Sequence, residues 1–470
     1  MKKIFTAIFF IVYFSFSIFS QSTTITTVAG YYYAGVGYFG DGGPAYSAET
    51  GNTYDVCFDK SGNYYVADAG NDVIRKVNTY GTISTYAGDH YAGVGYTGDG
   101  GPATAAELFD PAGVTCDPSQ NLYISDKGNN VIRKVDKSKQ DISTYAGNYI
   151  YGQGYSGDGG PATSAELSNP MGVAWDASGN LYIADQGNNV VRKVTNGGVI
   201  STIAGNHSSG YGGDGGPAMV AELSAPTRIC LDALGNLYIA DAGNHVVRKV
   251  VLSSGIITTV AGNFLAGPGY SGDGGPATIA EFGTPSGLVC DTANNLYISD
   301  QADNVVRRLF RKTGVIRTIV GTGYGMPNSG GFSGDGGLAT AAELYNPMGL
   351  AFDIFSDLFI ADYSNHVIRR LGVVPTYVES MQDVYQKVRI YPNPNNGNFK
   401  MEILNQEAGT INIEIYNLMG QKVYSSSSQY LIPNSEFQVN LGNKPNGVYI
   451  YRVVDGNGNL VGEGKLEITK

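Results

Sequence analysis

Residues 179–194 read GNLYIADQGNNVVRKV. Two short apolar runs, LYIAD (181–185) and VVRKV (190–194), flank a Gly-Asn turn. Aliphatic, β-branched and aromatic residues fill the runs, and Gly, Asn and Asp punctuate them. That pattern predicts two antiparallel strands. Both runs are apolar on both faces, so the pair must be covered on both sides. The stretch returns at 235–250 as GNLYIADAGNHVVRKV, and its first word occurs six times, ending at Asp68, Asp126, Asp185, Asp241, Asp300 and Asp362. Self-similarity at so long a period means one supersecondary unit used repeatedly, as in a solenoid or a propeller.

Working outward, each unit holds four strands. In the second unit these are PAGVTCD (111–117), LYISD (122–126), VIRKV (131–135) and ISTYAG (142–147). The last word, IxTxxG, begins at Ile25, Ile83, Ile142, Ile200, Ile257 and Ile316. The chain therefore starts with a lone fourth strand, ITTVAG (25–30), and its final unit stops after the third, VIRRL (367–371). Pairing the two closes a ring and removes the free edge. The expected fold is all-β: a six-bladed β-propeller over 22–371, then a linker (372–387) and a small Ig-like β-sandwich (388–470). An open array is the alternative to the ring.

Between units runs a Gly-rich loop, YSGDGGPATSAEL (155–167) in its third copy. Its aspartates are Asp41, Asp99, Asp158, Asp214, Asp273 and Asp335, each preceded by an aromatic residue three positions earlier and followed by a glutamate. Six equal copies suit scaffolding better than catalysis, which needs one set of groups. Gly permits positive φ, and Asp bonds nearby backbone amides. Pro then starts about one helical turn, which the glutamate is expected to help cap. The loop has neither a GK[ST] element nor dinucleotide-loop spacing.

Composition narrows the classes. The chain has 470 residues, net charge −11, 15% charged residues, 66 Gly and 34 Tyr. This suits many short strands and argues against a nucleic-acid partner. Residues 1–20 read as a secretory signal peptide, with cleavage near Ser20–Gln21; an uncleaved anchor is the alternative. No later stretch is long and apolar enough to span a bilayer. Cys57, Cys116, Cys230 and Cys290 each lie in an apolar run and read as small buried hydrophobes rather than bridges.

The units 179–194 and 235–250, preceded by PMGVAWD (170–176), resemble NHL repeats. The resemblance covers 25–371 and implies a six-bladed propeller, a fold shared by binding modules and enzymes. The tail resembles the type A C-terminal sorting domain of the type IX secretion system. The matching words are YPNP with GNF, IYNLMGQKVY, NGVYIYRV and the terminal KLEITK. That resemblance implies a bacterium of the Bacteroidota group, Sec export, and outer-membrane transport by the type IX machinery. It also implies removal of the tail by a sortase-like peptidase, with release or attachment to surface lipopolysaccharide. An ordinary Ig-like adhesion module is the alternative reading of the tail.

In a symmetric scaffold, function belongs where copies differ. Aligned on the aspartates that close the first strands, four copies have Gly113, Gly172, Gly287 and Gly349. The first has Asp55 and the fourth Arg228, placed to face each other across the channel mouth, with Tyr54 beside them. The plain alternative is drift at a tolerant, solvated position. Tyr31, Tyr32, Tyr33, Tyr149 and Tyr151 enrich two connecting loops and form a second candidate, an aromatic face for a glycan or protein ligand. His245 and His366 occupy the turn position held elsewhere by Asn130 and Asn189, no three histidines share a register facing the channel, and no GxSxG elbow appears. A peripheral calcium at Asp158, Glu166 and Asp185 is conceivable chemically, but Arg192 is the expected partner of these acids. The sequence thus points to a binding or interaction module without cofactor, with a metal-dependent hydrolase or lyase at the channel as the alternative.

Overall fold

Six four-stranded antiparallel sheets follow one another along residues 23–373. The computed structural model describes residues 23–323, 330–373, 388–391, 395–403, 409–417, 421–430, 435–455 and 460–470. The signal segment 1–20 and most of the 372–387 linker lie outside the described residues. The chain divides into two units, Met1–Thr376 and Tyr377–Lys470.

Each sheet is one blade. The third blade runs Pro170–Trp175, Leu181–Asp185, Val190–Val194 and Ile200–Ala204 from the axis outward. The ring closes as the lone strand implied: Thr23–Ala29 pairs antiparallel with Val367–Val373, Ile25 opposite Leu371. The second strand of every blade is buried end to end. Each blade is packed on both faces, so apolar alternation is absent from these strands. The core lies between neighbouring blades. One cluster joins Ile132 and Ala146 of the second blade to Leu181, Ile183 and Ile200 of the third. Ala162, Ala165 and Leu167 of the connecting loop fill the same wedge.

The loop's physical role is therefore visible. Gly159 N–H donates to the Ile200 carbonyl (2.8 Å), and Ala162 N–H to the Gly198 carbonyl (2.8 Å). Gly147 N–H, at the end of the preceding blade, donates to the Ala162 carbonyl (2.9 Å). The loop thus stitches two blades together at their outer edge. Gly157 has φ +89°, and a Cβ there would lie 2.6 Å from the Ala165 Cα. The helical turn is 3₁₀, Ala162–Ser164, with Pro161 at its N-cap and no side-chain cap. The expected glutamate cap is not made.

What the loop aspartate does instead is bind an arginine. Arg192, fully buried, donates through Nη2 to Asp158 Oδ1 (2.7 Å) and through Nη1 to Asp185 Oδ2 (3.4 Å) and the Glu166 carbonyl (3.2 Å). Asp158 Oδ2 accepts from Thr202 N–H (3.0 Å). Burial pushes the Asp185 carboxyl up to about 6, opposed by Asn188, Ser168 N–H and Arg192. This cluster recurs around the ring with one departure. In the fifth blade Asp303 stands where the others have Asn71, Asn129, Asn188, Asn244 and Asn365. There Arg307 bonds Asp273 through both Nε and Nη2. Burial and the neighbouring Asp303 push Asp300 upward.

The tail unit is a sandwich. Val388–Tyr391, Asn398–Ile403 and Ser435–Asn440 form a three-stranded sheet. Lys422–Tyr430, Gly409–Asn417, Gly447–Asp455 and Leu460–Ile468 form a four-stranded one. Phe399, Met401 and Val439 of the first share a core with Ile411, Ile413, Ile415 and Val453 of the second. Here the period-two alternation holds, because each sheet buries one face. All but the first residue of the DGNGN turn (455–459) lies outside the described residues. The four cysteines are free, and Cys230 Sγ lies 3.8 Å from Cys290 Sγ.

Candidate functional site

Neighbouring innermost strands touch at the glycine position. A Cβ on Gly113 would lie 2.2 Å from the Met171 carbonyl oxygen, and on Gly287 1.9 Å from that of Met348. The position is therefore neither tolerant nor solvated, and the drift reading of Asp55 and Arg228 fails. Nor do the two stand apart at an open mouth. Arg228 reaches across the axis: its Nη2 donates to the Tyr54 and Ala112 carbonyls, each at 2.9 Å, and lies 3.7 Å from Asp55 Oδ2. Asp55 Oδ2 accepts from Val114 N–H (2.9 Å). Asp55 is 7% exposed and Arg228 5%. Burial raises the Asp55 carboxyl, and the Arg228 charge opposes the rise. Together they close the channel.

The closure separates two spaces. Above it, on the face of the Asp-x-Gly-Asn turns, lies a funnel of about 490 Å³. Tyr54 lines it, and the Tyr363 ring packs against the Tyr54 ring, centroids 4.8 Å apart. Asn52 Nδ2 donates to the Tyr363 hydroxyl (3.0 Å). Lys127 Nζ sits 5.3 Å from the Tyr54 ring and 2.6 Å from Asp110 Oδ2. Gln186 and Gln301 face the funnel from other blades, and Met171 and Met348 line it at the level of Tyr54. Sequence reasoning overlooked most of this ring. The signal was present: the residue after the aspartate of each LYIAD word is Ala69, Lys127, Gln186, Ala242, Gln301 or Tyr363. It varies while its neighbours repeat.

The five loop tyrosines lie elsewhere, over the outer strands. Tyr32 stacks on Phe332 (4.2 Å) and Tyr149 on Tyr96 (4.1 Å). The same register holds His90 on Tyr38, His207 on Tyr155 and Phe264 on Tyr211. Each underlying ring also lies about 5 Å from a buried arginine, as Tyr155 does from Arg192 (5.2 Å). Tyr32 and Tyr149 thus belong to a repeating stack. Tyr31, Tyr33 and Tyr151 are more open, Tyr33 at 78% exposure. The structure therefore joins Tyr54, Asp55 and Arg228 at the axis and leaves the loop tyrosines on the rim.

Three of the four histidines face main-chain carbonyls. His245 Nδ1 lies 2.6 Å from the Gly283 carbonyl, and His90 Nδ1 3.1 Å from that of Asn71. Among the described residues no group of three His, Cys, Asp or Glu side chains is placed to hold a metal ion. The carboxylates of Asp158 and Asp185 are engaged by Arg192 and backbone amides.

Comparison with known proteins agrees with this architecture. A family model described as a secretion system C-terminal sorting domain matches residues 389–465, and the teneurin NHL domain model matches 146–211. Protein SUPPRESSOR OF QUENCHING 1 of Arabidopsis thaliana is 28% identical over 56% of this chain and 25% of its own length. Mouse teneurin-4 is 27% identical over 65% of this chain and 11% of its own. The chain thus spans a quarter or less of these two relatives. An auxiliary nutrient binding protein from Bacteroides ovatus superposes with TM-score 0.54 at 15% identity, covering 75% of this chain and 76% of its own. A Bacteroides thetaiotaomicron protein of unknown function gives TM-score 0.54 at 16% identity, with the same coverage. These likenesses concern the fold. The chain is an NHL-repeat β-propeller that carries a secretion-system C-terminal sorting domain. The sorting domain implies handling by the secretion machinery and points to secretion or cell-surface attachment. No helix among the described residues is long and apolar enough to cross a membrane.

Proposed function

We propose that the propeller is an exported binding module that takes a glycan end in the funnel above the Asp55–Arg228 closure. The observation that carries this reading is the ring of unlike residues in a sixfold scaffold. One wall is the Tyr54 ring, backed by Tyr363, a platform for the apolar face of a sugar. Gln186 and Gln301 offer amides that both donate and accept. The volume falls in the ~300–1,000 Å³ range of small-ligand sites. The exposed rim tyrosines Tyr31, Tyr33 and Tyr151 extend the surface for the rest of the chain. Export proceeds by the type IX route, with the tail from about residue 388 removed by its sortase-like peptidase. No observation favours the hydrolase or lyase alternative.

The test is a glycan array probed with the purified chain, followed by titration of the best hit. Tyr54→Ala and Gln186→Ala should each weaken it by about tenfold, or ~1.4 kcal/mol, with thermal unfolding near the parent's. Loss only on Tyr33→Ala and Tyr151→Ala would move the site to the rim. An array with no retained glycan would end the reading.

A further inference from the structure

Below the closure lies a second space that the funnel reading does not use. It holds about 360 Å³ between the lower halves of the innermost strands. All four cysteines of the chain line it. Singly, each suits a small buried hydrophobe, but their registers form a pattern. Cys57 and Cys230 stand two residues before the aspartates that close their strands, Asp59 and Asp232. Cys116 and Cys290 stand one residue before Asp117 and Asp291. A cysteine at the first register is thus always followed, on the next blade, by a cysteine at the second. The other copies carry Thr, Ala or Val at the first register and Phe, Trp or Leu at the second. No cysteine is left over.

The fold brings each pair together. Cys230 Sγ lies 3.8 Å from Cys290 Sγ, roughly 2 Å from bonding distance. Cys57 likewise adjoins Cys116: burial, and then the Cys116 thiol beside it, pushes the Cys57 thiol up. The pairs span the seams between the first and second blades and between the fourth and fifth, where the sheets share no strand ladder. The two seams lie on opposite sides of the ring. They also carry the closure, since Asp55 and Arg228 each stand two residues before a paired cysteine. Asp55 accepts from Val114 N–H across the first seam (2.9 Å). Thiols are weak donors and weak acceptors, so two in contact hold a seam loosely. The sorting domain points to secretion or cell-surface attachment, and outside the cytoplasm disulfides form and persist.

We propose that the exported protein carries two disulfides, Cys57–Cys116 and Cys230–Cys290, each joining the innermost strands of neighbouring blades below the closure. In each, two S–H bonds break and one S–S bond forms. The two protons and two electrons pass to an organic disulfide, the oxidised form of a thiol oxidoreductase, which leaves as the dithiol. Burial keeps Cys57 and Cys230 protonated in the folded ring. Only the thiolate attacks a disulfide, so the bonds form while the blades assemble.

The full chain is exported to a bacterial periplasm, and iodoacetamide, added to the intact cells and again on denaturation, caps every free thiol. Mass spectrometry then counts the caps with and without prior reduction. The expected result is none before reduction and all four cysteines capped after it. In the unreduced digest, the Cys57 peptide is joined to that of Cys116, and the Cys230 peptide to that of Cys290. Cysteines capped before reduction in most chains, or peptides joined in any other pairing, would overturn the proposal. Cys230→Ala should leave Cys290 capped without reduction and Cys57 still joined to Cys116. Cys290 joined to another cysteine in that variant would refute the pairing. The unsubstituted chain decides the matter even if Cys230→Ala does not fold.

Discussion

Arg192 lies fully buried because the chain surrounds it with acceptors: Asp185 in its own sheet, Asp158 from the loop, and the Glu166 and Ser156 carbonyls. Removing one partner of a buried pair strands the other in low dielectric, which costs about 3–5 kcal/mol. Arg192→Met is therefore expected to destabilise the propeller by that amount. Asp158 is partly exposed, its side chain at 41%. Asp158→Asn should cost only about 1 kcal/mol. Glu166 serves through its main-chain carbonyl, so Glu166→Gln should fall within about 0.5 kcal/mol of the parent. Urea unfolding followed by Trp175 fluorescence reads the propeller alone, because the tail holds no tryptophan. A Glu166→Gln loss as large as that of Arg192→Met would mean the carboxylate has a partner of its own. At this scale the sequence marked the right aspartates and the right arginine, because all recur together, but not Glu166, which meets Arg192 only through its main-chain carbonyl. It also marked Asp55 and Arg228 as breaks in a glycine register. It could not show that they meet, since the Arg228–Tyr54 contact that seats the pair crosses 174 residues of chain and depends on the width of the ring.

Each blade is legible as an element, since Gly, Asn and Asp bound every strand. The decisive element is the first. Thr23–Ala29 supplies the outermost strand of a sheet whose other three strands lie in residues 347–373. Ile25, fully buried, packs with Leu350, Leu358, Ile360 and Leu371 in that last blade. Deleting residues 23–29 would expose the unpaired edge of Val367–Val373 and the apolar face beneath it. The truncated chain should melt at least ~10 °C lower, through loss of several buried apolar side chains worth about 1.5–3 kcal/mol each. It should also elute as larger species, because a free edge invites pairing with another chain. Calorimetry and light scattering check both. A truncated chain that stays monomeric with the parent melting temperature would show that this strand does not hold the ring. The glutamate cap failed as an expectation because the 3₁₀ turn begins at Pro161, whose ring carries no N–H, and lies against its neighbours by main-chain bonds.

At the scale of the whole molecule, the propeller and the tail divide near residue 376 and have separate cores. Under the export route proposed above, deleting residues 388–470 should leave the propeller folded in the periplasm. Fractionation of an exporting host, with immunodetection of the propeller, checks this. Equal amounts at the surface or in the medium with and without the tail would refute the tail's role. The sequence by itself determined the blade count, the closure by the first strand, the sandwich and the sorting tail. All of these follow from local period, turn residues and repeated words, which the chain states within a few dozen residues. Only the tertiary structure decided where the copies matter. Bringing six innermost strands around one axis turned two odd residues into a closure, divided the channel, and gathered Tyr54, Lys127, Gln186 and Gln301 into one funnel. Those residues run from Tyr54 to Gln301, and no local pattern couples them. Their proximity comes from ring geometry, which packing between blades imposes.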